Sequence, residues 1–517
     1  MKLKEMFPFD SVLFFGNEDI EIKGISYDSR TVKKGWAFFA LDGHFTNGKN
    51  FISDAVSKGA TLIISDSKKE NLAVSQIVVE DVFAFMSVFC RKFYRNPDQE
   101  LKIIGVTGTN GKTTISYMIE SILSYVGIPC GVIGTINYRY GDKVMPSPNT
   151  TPQSADLFRL MRDMADSGIK CLVIEVSSHA LALGRTAGIE FDVSVWTNLT
   201  QDHLDFHKNI EEYFGAKALL FKGLANGKKS GTKSAVINID DEYGVQLVGL
   251  IPPDVCTVLY STKDNANAAF RAENISISNT GSSFSLVSPN GRLDKVEIKH
   301  IGQHNIYNVL ASLAAAISCG IDFEAAVNGL RASRLAPGRL EKVDSQGLNF
   351  DVIVDYAHTD DALKNVLSAI RQIKPARIIT VFGCGGDRDR LKRAKMGEVS
   401  AKMSDFVFVT SDNPRTESPQ KIILDIEVGF KRSGLSNYKV VVDRETAIKE
   451  AIAMAVRGDI ILLAGKGHED YQIIGTEKIH FDDREIASKL LSLKQKSKKA
   501  NKKASQGEFD FDGSNNS

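Results

Sequence analysis

The chain has 517 residues, 43% of them hydrophobic and 25% charged, with a formal net charge of +1. That is a globular composition over about three domains' worth of chain. The balanced charge argues against a nucleic-acid or membrane-surface binder, and with no run of about 18 apolar residues and no apolar leader the reading is a cytoplasmic protein without membrane insertion.

In chain order, residues 1–98 read as a small α/β domain. Short apolar runs at 36–41, 61–65 and 76–79 alternate with amphipathic stretches, and Asn96-Pro97-Asp98-Gln99 breaks the pattern. Residues 99–335 read as a central domain. A β-branched run from Leu101 to Val106 leads through a glycine-rich turn into helical spacing from Thr113 to Tyr125. Continuous apolar runs at 171–176 and 192–196 suit strands covered on both faces of a parallel sheet. From 268 to 300 the pattern becomes polar–apolar alternation with Asn-Gly at 290–291, which predicts an antiparallel meander. Residues 336–493 form a third domain, with β-like runs at 350–354, 377–382, 405–410, 438–442 and 459–464 separated by helices, a Rossmann-like doubly wound sheet. The lysine-rich and then acidic stretch 494–517 has too few apolar residues to offset its ordering entropy and reads as a disordered tail. Six cysteines stand scattered at 90, 130, 171, 256, 319 and 384, without a Cys-x-x-Cys pair, as reduced buried thiols would.

The strongest chemical signal is Gly105-Val106-Thr107-Gly108-Thr109-Asn110-Gly111-Lys112-Thr113-Thr114, set between a predicted strand and a predicted helix. Glycines let backbone N–H groups approach phosphates, Lys112 brings a mobile positive charge, and the Thr113 hydroxyl can ligate Mg²⁺ at the positive end of the helix. The loop is a variant, because Val106 stands where the usual spacing puts the first glycine. By itself it says nucleotide and no more.

Other segments make the class specific. Asn149-Thr150-Thr151-Pro152, Glu175-Val176-Ser177-Ser178-His179, Asn198-Leu199-Thr200-Gln201-Asp202-His203, Gly302-Gln303-His304-Asn305 and Asp355-Tyr356-Ala357-His358-Thr359 occur in this order. Together with the loop they resemble the Mur ligase superfamily over nearly everything from residue 24 to 490. Asp28-Ser29-Arg30, Phe382-Gly383-Cys384-Gly385-Gly386-Asp387-Arg388, Asp412-Asn413-Pro414-Arg415 and Gly465-Lys466-Gly467-His468-Glu469 are similar to its tripeptide-synthetase branch, which adds the third residue of the peptidoglycan stem.

The resemblance implies an ATP-dependent ligase that joins a carboxylate to an amine, with ATP and Mg²⁺ as cofactors and small-molecule substrates; the sequence does not give the oligomeric state, and a monomer is the default. It assigns ATP to Gly108, Thr109, Asn110, Gly111, Lys112, Thr113 and Thr114, with His304, Asn305 and Asn308 near the adenine and Arg339 and Asp355 reaching over from the third domain. Thr113, Glu175 and His203 become the magnesium ligands, and Lys217, in an apolar helix, a carbamylated lysine (N6-carboxylysine) that helps hold a second ion; Lys112, Lys217, His203 and Glu175 form the catalytic set. Ser29, Arg30 and the loop carrying His44 would receive a uridine diphosphate, making residues 1–98 the UDP-substrate domain. Asn149, Thr150, Thr151, Ser178 and Arg185 would hold the muramoyl-dipeptide. Arg388, Asp412, Asn413, Arg415, Gly465 and Glu469 would line the amino-acid pocket, where a guanidinium fork suits the distal carboxylate of diaminopimelate. Lanthionine has the same distal zwitterion and fits equally. The rivals are a lysine- or ornithine-adding relative, a folylpolyglutamate-type ligase, and a nucleotide-gated binding protein without ligase activity. One departure stands out: Asp360 occupies the place of a proline usual in the family, which leaves Asp355 and His358 intact.

Overall fold

The computed structural model describes residues 1–6, 12–43, 47–204 and 206–507, with side chains to residue 498. Three α/β units follow one another, and among the described residues no helix is long and apolar enough to cross a membrane.

The first unit is a five-stranded sheet ordered Leu13–Phe15, Ser75–Val78, Ala60–Ser65, Trp36–Phe39, Gly24–Ser26, parallel except at its first pair. Its helix Val82–Phe93 buries Met86, Phe89 and Cys90 in an apolar cluster that continues into Leu157, Phe158 and Trp196 of the central unit. The two units therefore share a core. Polar bonds at its rim run from Tyr27 Oη to Asp156 Oδ2 (2.7 Å) and from Arg91 to Asp98 and Glu190 (2.7 and 2.8 Å).

The central sheet has eleven strands. Six parallel ones occupy its middle, in the order Cys256–Ser261, Ser234–Asn238, Val193–Trp196, Lys102–Thr107, Cys171–Glu175, Cys130–Ile133. Every residue of Val193–Trp196 and Cys171–Glu175 is buried, as the unbroken apolar runs predict. The meander forms one edge as Phe270–Ser278, Gly281–Ser288 and Gly291–Ile298. The hairpin Asn137–Tyr140 and Lys143–Pro146 forms the other. Helices Lys112–Tyr125 and Gln303–Ser318 cover one face through Ile115, Ile119, Ile306 and Leu310.

The third sheet is ordered Glu341–Val343, Asp351–Asp355, Ile460–Ala464, Ile378–Phe382, Phe406–Val409, Tyr438–Val440, parallel apart from its first pair. The expectation of a disordered tail from 494 needs correction over 494–507, which continue the last helix, Asp483–Gly507. Two contacts explain the rigid start of that helix. Ala487 and Leu491 are fully buried, and the Lys494 ammonium donates to the Ala453 and Ala455 carbonyls (3.1 and 3.3 Å) that end the helix Arg444–Met454. Residues 508–517 lie outside the described residues. In both parallel sheets the chemistry-bearing residues sit at the carboxyl ends of the strands, where doubly wound sheets open their crevices.

Candidate functional site

The loop between Lys102–Thr107 and Lys112–Tyr125 requires its glycines. Gly108 has φ +142° and Gly111 φ +93°; a Cβ would stand 1.8 Å from Thr197 Oγ1 at the first and 2.4 Å from Asn308 Oδ1 at the second. Lys112 curls back over the loop and donates to the carbonyls of Gly108 and Thr109 (2.8 and 2.9 Å). Thr113 and Thr114 are buried in the first turn of the helix, and Thr109 Oγ1 donates to the Thr200 carbonyl (3.2 Å).

Glu175 ends its strand beside this loop and is 1% exposed. Its carboxylate accepts from Thr113 Oγ1 (2.9 Å), Thr135 Oγ1 (2.8 Å) and Thr135 N (3.2 Å). A buried carboxylate beside a hydroxyl at a phosphate cradle is a hard-oxygen donor set of the kind Mg²⁺ takes, one or two protein oxygens with phosphate supplying more. Among the described residues no group of three His, Cys, Asp or Glu gathers as a metal site.

Lys217 lies inside the helix Ile210–Lys222, 1% exposed, its ammonium nitrogen 2.9 Å from the same Gly108 carbonyl that Lys112 uses and 4.5 Å from the Tyr213 ring centre. Burial, with Lys112 nearby, pushes its pKa well below the ordinary value. His203 stands on this side of the loop, at φ +56°, edge-on to His179 at 4.9 Å and 3.5 Å from Asp202 Oδ2. Its side chain is 41% exposed; desolvation lowers its pKa against the pull of Asp202. A neutral imidazole is the form that ligates metal.

Between the central and third units opens a cleft of about 300 Å³. Asn110, Gly111, Thr114, His304, Asn305, Asn308, Arg339 and Asp355 all line it, so the structure brings together most residues assigned to the nucleotide. Arg339 Nη2 reaches Thr113 Oγ1 at 3.5 Å. Asp355 is held by the N–H groups of Leu340 (2.7 Å) and Ala357 (2.8 Å), and burial raises its pKa. The sequence reading missed Asp240, which accepts from Tyr307 Oη (2.8 Å) at the far wall, and Asp361, which accepts from Asn110 Nδ2 (2.9 Å). Asp361 stands two residues past the quoted Asp355–Thr359 motif and was within reach. Asp240 follows the strand Ser234–Asn238, which the sequence pattern did not single out.

Towards the first unit, Thr151 Oγ1 donates to the Glu175 carbonyl (2.8 Å), Arg185 Nη1 donates to the Thr151 carbonyl (3.0 Å), and Thr150 meets Thr135 (3.1 Å). Asn149 gives its carbonyl to Tyr138 Oη. Ser178 is 1% exposed with its hydroxyl unpartnered. Ser29 and Arg30 form a 3₁₀ turn, where Ser29 is buried and Arg30 reaches into solvent, paired with Asp28 (2.7 Å). His44 lies outside the described residues.

The third unit gathers its own group. Arg415, at φ +51°, donates through Nη1 to the Gly386 carbonyl (2.9 Å); burial and the neighbouring Arg388 lower its pKa. Asn413 Nδ2 donates to Glu469 Oε2 (2.8 Å), and burial with Asp412 raises the Glu469 pKa. Gly465, at φ +109°, leaves room for Asp412, whose Oδ2 a Cβ would meet at 2.6 Å. The fully buried Lys466 ammonium, quoted in the motif but given no role from sequence, sits 3.4 Å from Glu469. The group sets the Asp412 and Glu469 carboxylates beside the Arg388 and Arg415 guanidiniums.

Comparison with known proteins agrees with this layout. Residues 21–94 match the Mur ligase family catalytic domain, 106–316 the Mur ligase middle domain, and 338–467 the Mur ligase glutamate ligase domain. A UDP-N-acetylmuramoyl-L-alanyl-D-glutamate--2,6-diaminopimelate ligase of Geobacter sulfurreducens is 45% identical, over 92% of this chain and 96% of that protein. One of the ligases so named in Clostridium acetobutylicum is 45% identical over 95% and 99%. A solved structure of the same designation superposes with TM-score 0.68 at 33% identity, over 96% of this chain and 99% of its own. A MurF ligase of Thermotoga maritima in complex with ADP shares the fold, with TM-score 0.63 at 18% identity. With three domain matches in family order and whole-length relatives, the chain belongs to the Mur ligase family of ATP-dependent ligases.

Proposed function

We propose that the protein adds meso-diaminopimelate to UDP-N-acetylmuramoyl-L-alanyl-D-glutamate at the expense of ATP, a cytoplasmic step of peptidoglycan synthesis, and acts as a monomer. A carboxylate of the D-glutamyl residue attacks the γ-phosphorus, the bond to ADP breaks, and an acyl phosphate forms. The diaminopimelate amine then attacks the acyl carbon, phosphate leaves, and an amide remains. Lys112 and Arg339 offset the charge of the transferring phosphoryl group, the main contribution a protein makes to this chemistry. Thr113 and Glu175, with His203, would hold Mg²⁺, which would add charge neutralisation on the phosphates. The neutral amine of Lys217 is the form that adds CO₂, losing a proton and becoming the carbamate that serves as a further oxygen ligand.

The observation that carries the reading is a short chain of contacts. Arg339 touches Thr113 at one end (3.5 Å) and lies over the Tyr356 ring at the other (4.8 Å); Tyr356 packs on His468 (5.0 Å), the residue before Glu469. Phosphate loop and amine pocket are thus linked through three side chains, all of the third unit. Arg415 favours diaminopimelate over lysine, because a half-buried guanidinium suits a distal carboxylate that lysine lacks.

The test supplies ATP, Mg²⁺, bicarbonate and the UDP-linked dipeptide with diaminopimelate, lanthionine, lysine or ornithine in turn, and reads ADP and the lengthened peptide by mass spectrometry. Diaminopimelate and lanthionine are turned over. Equal turnover of lysine defeats the amino-acid assignment, and ADP without any tripeptide defeats the ligase. In the same assay Arg415→Ala raises KM for diaminopimelate about 10- to 100-fold, the worth of a charge-assisted bond of about 1.5–3 kcal/mol.

A further inference from the structure

The nucleotide cleft carries a contact that no assignment above explains. Asp361 lies in the first turn of the third unit's helix Asp360–Gln372, where a carboxylate usually serves its own helix. Here Thr359 Oγ1 caps that helix, accepting from Ala362 N (3.2 Å), while Asp361 Oδ2 turns away across the domain boundary to accept from Asn110 Nδ2 of the phosphate loop (2.9 Å). Asn365 Nδ2, one helical turn on, steadies the same oxygen at 3.1 Å, and Thr200 Oγ1 of the central unit meets it at 3.4 Å. Asn110's backbone is held by its own domain: its N–H donates to Asn198 Oδ1 (3.0 Å) and its carbonyl accepts from Thr197 Oγ1 (2.6 Å). Its amide group is the part left for the third unit. Asn110 stands between Gly108 and Gly111, the two loop positions with positive φ and no side chain to hold them, so fixing Asn110 fixes the direction of the loop's N–H groups. A second inter-domain bond, Lys395 Nζ to Gln201 Oε1, fastens the segment that supplies Thr197, Asn198 and Thr200.

We propose that Asp361 is a positioning residue for phosphoryl transfer: when the third domain closes on the nucleotide, its carboxylate captures Asn110, and the phosphate loop is fully formed only in the closed molecule. The inference rests on the ligase reading above. It gives the protein a means of withholding transfer until the domain that brings the amine has docked, because misplacement of a reacting group by about an ångström is enough to cost orders of magnitude in rate.

A double-mutant cycle tests it. Asp361→Ala and Asn110→Ala each lower kcat about tenfold with KM for ATP within about threefold, and the double variant loses about tenfold, not about a hundredfold, because both substitutions break one interaction. Asp361→Asn keeps an oxygen that can accept from Asn110 and restores kcat to within about threefold of wild type. The melting-temperature rise given by AMP-PNP with Mg²⁺ needs no ligation and is read on the same four proteins: each single variant reduces it, and the double reduces it no further. Wild-type turnover carries the ligase reading, whereas the relation among the variants carries this one. Losses that multiply, a nucleotide shift in Asp361→Ala equal to wild type, or Asp361→Asn as impaired as Asp361→Ala would each overturn the proposal.

Discussion

Lys217 is a lysine buried where burial is costly, in a helix that could as well carry leucine there. A lone ammonium in such a place gives up its proton instead of staying charged, and the direction of its pKa shift agrees. Its nitrogen donates to the Gly108 carbonyl of the phosphate loop, which sets this costly group beside the loop. Lys217→Ala is expected to leave the melting temperature unchanged or slightly raised while tripeptide formation falls about 10²- to 10³-fold, the worth of one preorganised group at a developing charge; bicarbonate does not rescue it. An active variant would remove Lys217 from the mechanism. From sequence, this residue was ambiguous, because a snorkelling surface lysine and a buried one look alike in an apolar helix. The family likeness supplied its role and the structure supplies its environment. The reverse holds for Arg30, whose place next to Asp28 and Ser29 suggested a ligand contact. Its guanidinium stands in solvent, paired with Asp28.

Strands place most of the site, and strands were the legible part. Runs buried on both faces announce themselves by unbroken apolar composition, so 101–106, 171–176 and 192–196 and all five runs of the third unit fall within a residue or two of the observed strands. The hairpin Asn137–Tyr140 and Lys143–Pro146 was not legible: its first strand alternates half-buried and buried positions over only four residues, and its second is exposed apart from Met145. Helix starts were less legible where a residue serves another domain, as Asp361 does. The packing of one strand end on another was not legible at all, and Gly134 shows why it matters. It follows the strand Cys130–Ile133, and a Cβ there would stand 2.2 Å from Glu175 Oε1. Gly134→Ala is expected to swing the Glu175 carboxylate off Thr113 and cost about 1–3 kcal/mol of stability. ADP release should fall, and the Mg²⁺ concentration for half-maximal rate should rise. Unchanged magnesium dependence would show that Glu175 does not face the metal.

At the scale of the whole molecule, the three units are joined by unequal means. The first and central units share one apolar cluster, whereas the central and third meet across a polar cleft through Asn110, Asp361, Gln201, Lys395 and Arg339. His304 lines the cleft, and desolvation lowers its pKa to about 4; in the third unit it lowers those of His358 and His468 to about 4 and about 3, against an ordinary value of 6.5. Below pH 6.5 the unfolded chain takes up protons that these side chains refuse when folded, so stability present above that pH is lost as pH falls towards 4. A polar boundary of this kind lets two units unfold separately, and a multidomain chain of this size need not melt in one step. A nucleotide seated between Gly111 and Asp355 binds only where both walls are in place. At about a hundred times its dissociation constant it adds about 2.7 kcal/mol to whatever cooperative unit contains the site. Calorimetry at pH 7.5 is therefore expected to show the central and third units' transitions moving upward and merging when ADP and Mg²⁺ are added. At pH 5.5 the apo transitions start lower and the merging is weaker. The UDP-linked dipeptide should raise the transition of the first and central units instead, since its residues lie on that side. If ADP shifted the central transition and left the third in place, the cleft would not be a shared site, and the coupling of phosphate loop to amine pocket would have to be sought elsewhere.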